Sequence, residues 1–235
     1  MVRKKILPPY GEEFLNYLYI DKGYTENTRK SYEFELEKFA LFLDNNHLKL
    51  SLDEQDMTDY ISTLQAESAR SIAHNISSLR TFYKFLLINH YVKSNPLEEI
   101  ALPKQGKRLP KALSIEEIDL LLDIPIKNAF SVRNKAILEL LYASGLRVSE
   151  LVNLKIGDID LALVRTMGKG RKERIVPLGD YALKALYIYI YEYRNQLLIK
   201  GWNEYLFINN HGTNLTRQAI FKMIQSLAKE KGIET

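Results

Sequence analysis

Apolar side chains recur every three or four residues along the first hundred residues of the chain. Such a stripe marks one face of an amphipathic helix. Four stripes, separated by short polar breaks, predict a compact all-α unit over residues 1–100. Thr25 is the expected N-cap of the second helix, and Ser51 or Asp53 that of the third. The stripes consist of Phe14, Leu15 and Leu18; Tyr32, Leu36, Phe39, Ala40 and Leu43; Met57, Tyr60, Ile61 and Leu64; and Ile72, Ile76, Leu79, Phe82, Tyr83 and Leu86.

Residues 101–113 interrupt this pattern with two prolines, one glycine and four basic residues, and they contain no acid. Regular structure is unfavourable in such a segment, so we predict a basic linker between two domains. The second domain, residues 114–235, mixes helical and strand patterns, beginning with a capping box formed by Ser114 and Glu117. Its further predicted elements are an apolar helix ending at Ser144 and Gly145, a short helix from Arg147, hairpin strands at 161–164 and 174–176, a strand at 206–208 and a helix over 215–231.

The segment 187–193 supports two interpretations. Its tyrosines alternate with other residues at a period of two, which is typical of a strand. Leu183, Leu186 and Ile190, however, fit one face of a helix that Gly179 could cap, and we favour the helix. The fold class predicted for the chain is therefore mainly α, with an all-α first domain and an α-rich α+β second domain that carries a small β-hairpin.

The formal net charge of the 235 residues is +4, and its distribution is uneven. Residues 1–99 hold 12 basic and 15 acidic side chains, whereas residues 100–111 hold four basic and none that is acidic. Residues 112–235 hold 17 basic and 14 acidic side chains. Concentrated positive charge favours binding to a polyanion such as nucleic acid. A solvated linker with scattered surface lysines is the alternative.

Several classes of chemistry have no support in the composition. The chain has no cysteine, which excludes disulfides, Cys-ligated zinc and thiol nucleophiles and favours a reducing compartment. No apolar run approaches the roughly 20 residues of a membrane span, so we expect a cytoplasmic protein without membrane contact. We also expect neither a metal nor a cofactor, because no P-loop or dinucleotide-binding motif is present and because no two histidines stand at ligand spacing. Asp158 and Asp160 fit a polar loop before a strand.

Two features could bind an anion. Arg147 follows Gly145 and begins a short helix, where free backbone N–H groups and a guanidinium would lie together. An ordinary ion pair between Arg147 and Glu150 on the surface is the alternative. The second feature is the predicted hairpin turn, which has five basic residues and one acidic residue between Arg165 and Arg174. Glycines on both sides of Lys169 would allow the backbone to approach a polyanion closely, although a solvated hairpin tip fits equally well.

Longer motifs around these features resemble a known family. Residues 142–151 (YASGLRVSEL) and 168–179 (GKGRKERIVPLG) resemble the first arginine motif and the β-hairpin lysine motif of the tyrosine recombinase (phage integrase) family. Residues 23–28 and 71–80 are similar to the family's core-binding domain, and residues 109–114 to the entry of its catalytic domain. The chain is most similar to the Xer branch, which lacks the arm-binding domain of many phage integrases.

The resemblance implies a SAM-like core-binding domain followed by a catalytic domain, which together close on duplex DNA as a clamp. It implies a reaction without metal, in which a tyrosine hydroxyl attacks the scissile phosphate to give a 3′-phosphotyrosine and a free 5′-hydroxyl. Arg147 would stabilise the charge of the transition state, and Lys169 would protonate the departing 5′-oxygen as the general acid. DNA contacts are expected at Thr25, Thr28, Arg29, Arg80, Lys107, Arg108, Arg171 and Lys172.

The family's His-x-x-Arg motif, a later His or Trp and the nucleophilic tyrosine have no counterpart before Thr235. We therefore expect an incomplete catalytic domain, and we assign no nucleophile among the fifteen tyrosines. The expected partner is double-stranded DNA, bound by a homo- or hetero-tetramer on paired sites when the protein is full length. Chromosome dimer resolution is the favoured role. A non-catalytic DNA clamp and a mobile-element integrase are the alternatives.

Overall fold

The computed structural model describes residues 6–104, 112–160, 162–168 and 173–233. The chain divides into two compact units, residues 1–108 and 109–235. This division falls inside the segment predicted as the linker, of which residues 105–111 lie outside the described part of the chain. Each unit has its own hydrophobic core.

The described part of the first unit is helical, as the apolar stripes predict. Thr25 caps the second helix by accepting a hydrogen bond from the Thr28 N–H at 3.3 Å. Asp53, and not Ser51, caps the third, in a reciprocal capping box with Asp56. The helices are α1 (Gly11–Asn16), which continues into a π-helical turn (Tyr17–Asp21), α2 (Glu26–Asn45), α3 (Glu54–Thr63) and α4 (Ala69–Ile88).

The core of the first unit is built from those stripes. Every stripe residue is buried or partly buried. Phe14 and Phe82 are fully buried, and their ring centroids lie 5.2 Å apart in an edge-to-face arrangement, a geometry that aromatic pairs prefer. The hydrophobic periodicity of residues 1–100 therefore predicts this unit well.

The second unit combines helices with a small sheet. Ser114 and Glu117 form the expected capping box. The described elements are α5 (Ile115–Leu122), α6 (Ala129–Ser144), α7 (Val148–Leu151), β1 (Ile159–Asp160), β2 (Leu163–Met167), β3 (Glu173–Pro177), α8 (Asp180–Tyr187), a π-helical segment (Ile188–Tyr193), a 3-10 turn (Arg194–Leu197) and α9 (Arg217–Glu230).

The sheet is antiparallel, with the strand order β1-β2-β3. The β2–β3 register pairs Leu163 with Pro177 at one end and Met167 with Glu173 at the other. Strand β2 alternates between exposed and buried residues, with Val164 and Thr166 facing the core. The predicted fold class, mainly helical with a small β-hairpin, is confirmed.

The segment 187–193 is helical, so the interpretation as a strand is wrong. Tyr189 is fully buried and stacks on Phe207 with a centroid distance of 5.3 Å. Tyr187 and Tyr191, four residues apart, are exposed. The alternating tyrosines therefore belong to a helix that buries Tyr189 and exposes Tyr187 and Tyr191, rather than to a strand.

The strand predicted at 206–208 is also wrong, because this segment forms only isolated bridges at its flanks. Arginine side chains bind the carbonyl oxygens of Leu206 and Ile208 in this segment. Arg194, which is 3% exposed, donates to the carbonyl oxygens of Asn203, Tyr205 and Leu206. Arg133 donates to the carbonyl oxygen of Ile208 at 2.9 Å. Buried backbone carbonyls require partners, and guanidinium groups here take the place of a strand ladder.

Candidate functional site

A tight turn between α6 and α7 exposes Arg147. Gly145 ends α6 with φ 58° and ψ 28°, and its N–H donates to the Leu141 carbonyl oxygen at 3.0 Å. This left-handed conformation favours glycine. Leu146 is buried and anchors the turn, whereas the Arg147 side chain is 65% exposed. The sequence therefore folds so that a cation projects from a rigid turn.

The Glu150 side chain binds both the backbone and the side chain of Arg147 in this turn. Its Oε2 accepts a hydrogen bond from the backbone N–H of Arg147 at 2.8 Å, and its Oε1 accepts one from Nη1 of Arg147 at 2.9 Å. The ion pair that we considered as an alternative is therefore present. It is not a surface pair, because the Glu150 side chain is only 6% exposed. The backbone N–H of Arg147 is not available to an anion, because Glu150 occupies that donor.

Arg174 contacts the same carboxylate from the sheet. Its Nη2 donates to Oε2 of Glu150 at 2.8 Å. Arg174 pairs in the sheet with Thr166, which is buried, so its side chain shares the inner face of β2 and β3. Sequence reasoning missed this contact, although Arg174 belongs to the hairpin motif. The available signal was that the first motif contains an acidic residue, Glu150, while both motifs contain an arginine that could pair with it.

The carboxyl group of Glu150 is held in its charged form. Burial opposes ionisation, but the backbone N–H and guanidinium of Arg147 and the charge of Arg174 outweigh this effect and lower the pKa of Glu150. Donors that bind a carboxylate favour its ionised state. Glu150 is therefore an anion between two cations.

Arg147 lies at a pocket of about 590 Å³. Arg165 of β2 also lines this pocket and forms an ion pair with Asp160 at 3.1 Å. Two guanidinium groups, which can each bind a phosphate at two points, thus line one concave surface together with the carboxylates of Glu150, Asp158 and Glu173. The described lining residues are Arg147, Ser149, Glu150, Asn153, Leu154, Asp158, Arg165, Thr166, Met167, Gly168 and Glu173.

The turn of the hairpin lies outside the described residues. Gly168 and Glu173 flank it, and both line the pocket. The roles predicted for residues in the turn and in the linker stay predictions. These residues are Lys169, Arg171, Lys172, Lys107 and Arg108.

The DNA contacts expected in the first unit lie in different environments. Thr25 and Thr28 are joined at the start of α2, where their hydroxyl oxygens are 3.0 Å apart. Arg29 forms ion pairs with Glu12 at 3.2 Å and with Glu26 at 3.6 Å. Their contacts with DNA also stay predictions.

Arg80, the fourth of these residues, is bound to the backbone. Its Nε donates to the carbonyl oxygen of Leu97 at 3.0 Å, and its Nη2 donates to that of Ile100. These bonds attach the segment after α4 to the helix. The donors are used within the unit, so a DNA contact would have to use the remaining part of the guanidinium.

In residues 6–104, 112–160, 162–168 and 173–233, no cluster of three or more His, Asp or Glu side chains has the geometry to hold a metal ion. None of the helices in these ranges has both the length and the apolar character needed to cross a membrane.

Two models of known protein families match this chain. The model of the phage integrase family matches residues 111–235, and that of the phage integrase N-terminal SAM-like domain matches residues 12–90. The two matched domains correspond to the two units of the fold, and they are those of a DNA-recombining protein. The chain belongs to the phage integrase family.

Similar proteins agree with this assignment. The tyrosine recombinase XerD of Oceanobacillus iheyensis is 41% identical over 230 residues, which cover 94% of this chain and 77% of the relative. The crystal structure of the XerH recombinase bound to its palindromic difH substrate has a TM-score of 0.73 at 21% identity, covering 96% of this chain and 69% of that one. A lambda integrase tetramer bound to a Holliday junction has a TM-score of 0.69 at 15% identity, covering 97% and 66%. The chain is a site-specific tyrosine recombinase that binds DNA.

Proposed function

We propose that this recombinase acts in Xer-type resolution of chromosome dimers, with Arg147 as a phosphate donor and Lys169 as the general acid. The observation that carries the proposal is Arg147 itself, a guanidinium that a buried carboxylate orients while 65% of the side chain stays exposed at a pocket. The 41% identity to a tyrosine recombinase XerD supports the Xer-type role.

Arg147 would act on the phosphate in the transition state. When a tyrosine oxygen attacks the scissile phosphorus, negative charge grows on the non-bridging oxygens, and a fixed donor stabilises it. Within the described residues, Arg147 uses Nη1 for Glu150. The remaining N–H groups of the Arg147 guanidinium can then bind two phosphate oxygens.

Lys169 would supply a proton to the leaving group. As the phosphorus–O5′ bond breaks, the 5′-oxygen takes its electron pair and needs a proton, because a sugar alkoxide is a poor leaving group. The ammonium group of Lys169 would donate that proton. Lys169 directly follows Gly168, which lines the Arg147 pocket. The phosphotyrosine conserves the phosphodiester energy, so the strands can be rejoined without an external energy source.

The proposed partner is duplex DNA, contacted by both units, with four protomers acting on two paired sites. The solved relatives bound to a DNA substrate and to a Holliday junction support this arrangement through a common fold. DNA contacts are proposed at the eight residues predicted from the sequence: Thr25, Thr28, Arg29, Arg80, Lys107, Arg108, Arg171 and Lys172.

The role of Arg147 is tested with a nicked suicide substrate, in a recombinase chain that carries the nucleophilic tyrosine. We expect Arg147→Ala to reduce covalent protein–DNA complex formation by about a hundredfold or more, the usual cost of losing a transition-state donor. DNA affinity should change little. Lys155→Ala is the matched control, because it removes a cation from an exposed pair with Glu204 in the same unit. Equal losses of affinity and cleavage would make Arg147 an ordinary phosphate contact.

The role of Lys169 is tested by changing the leaving atom. A 5′-bridging sulfur leaves as a thiolate and needs no proton. This substrate should rescue cleavage by Lys169→Ala but not by Arg147→Ala, which lacks a charge stabiliser. Rescue of both variants, or of neither, would contradict the general-acid role. DNA binding without any covalent complex, by a chain that carries the nucleophilic tyrosine and no substitution, would instead favour a non-catalytic clamp.

A further inference from the structure

Arg174 lies on β3 and has no part in the reaction proposed above. Its Nη2 donates to Oε2 of Glu150 at 2.8 Å. Its Nε is buried and has no hydrogen-bond partner among the described residues. The neighbouring Glu173 lines the Arg147 pocket, but Arg174 is not among the described lining residues. Arg174 therefore reaches the site through Glu150 rather than through the pocket.

The charges of the three residues explain why a second cation is useful. Glu150 is 6% exposed and is paired with two guanidinium groups. With Arg147 alone, the carboxylate would form a neutral pair, and an incoming phosphate would gain little from it. With Arg174 included, the three side chains keep a net formal charge of +1 beside the exposed Arg147 guanidinium. Arg174 thus allows Glu150 to hold Arg147 without cancelling its charge.

The geometry adds a mechanical connection. Oε2 of Glu150 accepts from the Arg147 N–H, at the start of α7, and from Arg174 Nη2, on β3. One oxygen thereby joins the turn that carries Arg147 to the sheet. The strand end of this connection is fixed, because Arg174 pairs with the buried Thr166 in the β2–β3 register.

We propose that Arg174 is a positioning residue for Arg147, acting through Glu150 to fix the orientation of the Arg147 guanidinium and to preserve its positive charge towards a phosphate. The proposal rests on the proposed role of Arg147 in cleavage. The proposal assigns Arg174 no contact with the DNA phosphate or with the leaving group. Arg174 differs in this respect from Arg147.

The kinetic test compares Arg174→Gln and Arg174→Lys in a recombinase chain that carries the nucleophilic tyrosine. At saturating nicked DNA, Arg174→Gln should slow covalent complex formation by about tenfold, the cost of one charge-assisted hydrogen bond. The dissociation constant for DNA should change by less than about twofold. Arg174→Lys, which keeps the charge, should recover most of the rate. Lys155→Gln, an equal loss of charge from an exposed ion pair, controls for a general electrostatic effect.

A second measurement tests the coupling without cleavage. In the chain itself, the carboxyl resonance of Glu150 is followed by carbon-13 NMR as the pH is lowered. Because the charge of Arg174 helps to lower the pKa of Glu150, Arg174→Gln should raise that pKa, and Arg174→Lys should raise it less. An unchanged Glu150 titration, or a loss of DNA affinity equal to the loss of rate, would overturn the proposal. If the recombinase chain that carries the nucleophilic tyrosine forms no covalent complex even without a substitution, the proposed function fails, and the titration still decides the role of Arg174.

Discussion

Replacing Glu150 with glutamine removes a charge from a buried side chain while keeping its shape. The carboxylate accepts three hydrogen bonds, at 2.8, 2.9 and 2.8 Å. Breaking a buried ion pair costs about 3–5 kcal/mol when a charge is left buried. Here the two cations are 65% and 39% exposed, so water can solvate them in the variant, and the glutamine oxygen still accepts one bond. We therefore expect Glu150→Gln to lower the free energy of unfolding by about 2 kcal/mol at pH 7.

The pH dependence distinguishes a charge effect from a packing effect. The folded-state pKa of Glu150 is lowered. Its stabilising contribution is therefore complete above the unfolded pKa of about 4.3 and is lost as the pH falls through the folded value. Glutamine does not titrate, so the difference in stability between Glu150→Gln and the unsubstituted chain should shrink at acidic pH.

Urea unfolding between pH 7 and pH 3 measures this difference. Far-UV circular dichroism follows the unfolding, because Trp202, the single tryptophan, is 80% exposed in the folded chain and would report little change. Glu204→Gln is the control, because Glu204 belongs to an exposed pair with Lys155 and should cost less than about 1 kcal/mol. A cost for Glu150→Gln that is the same at every pH, or no cost at pH 7, would refute the reasoning.

Three further outcomes are expected. Leu140→Ala, at a fully buried position of α6, should cost about 3 kcal/mol in urea unfolding, whereas Leu120→Ala, 48% exposed on α5, should cost less than about 0.5 kcal/mol. Gly145→Ala should cost about 1 kcal/mol, because its φ of 58° is unfavourable for a side chain although the space for a Cβ is open; Gly145→Asn should cost less, and the reverse order would contradict the conformational explanation. Duplex binding by the chain, followed by fluorescence anisotropy, should weaken with a log–log salt slope near −5 if about six phosphates are neutralised, and a slope near zero would contradict the proposed DNA contacts.

Local signals in the sequence predict the elements of the fold. The caps at Thr25 and Ser114 and the glycine that ends α6 are each settled by residues within one helical turn. Their chemistry is visible without knowledge of the rest of the chain. The third helix offered two capping residues, Ser51 and Asp53. The choice of Asp53 depends on its reciprocal bond with Asp56.

Interactions between distant residues are what the sequence does not reveal. Arg174 and Glu150 are 24 residues apart, and only the register of the hairpin brings them together. The strand predicted at 206–208 fails for a related reason. Arg194 and Arg133 satisfy its carbonyl groups, and hydrophobic alternation carries no information about which donor a carbonyl will find. Arg147 and its pairing with Glu150 could be identified from the sequence, but the burial of Glu150 and its second contact, with Arg174, could not.

The buried Arg194 closes a loop in a chain that has no cysteine. Its guanidinium donates to the carbonyl oxygens of Asn203, Tyr205 and Leu206, which lie 9, 11 and 12 residues further along the chain. One planar group thereby holds the end of this loop against its beginning. A disulfide across a similar span would restrict the unfolded chain permanently. Arg194 restricts only the folded chain, because water replaces its bonds once the segment opens. The loop is therefore a reversible cross-link that resists reducing agents and depends on burial, and lysine, with one nitrogen in place of a fork, could not reproduce it.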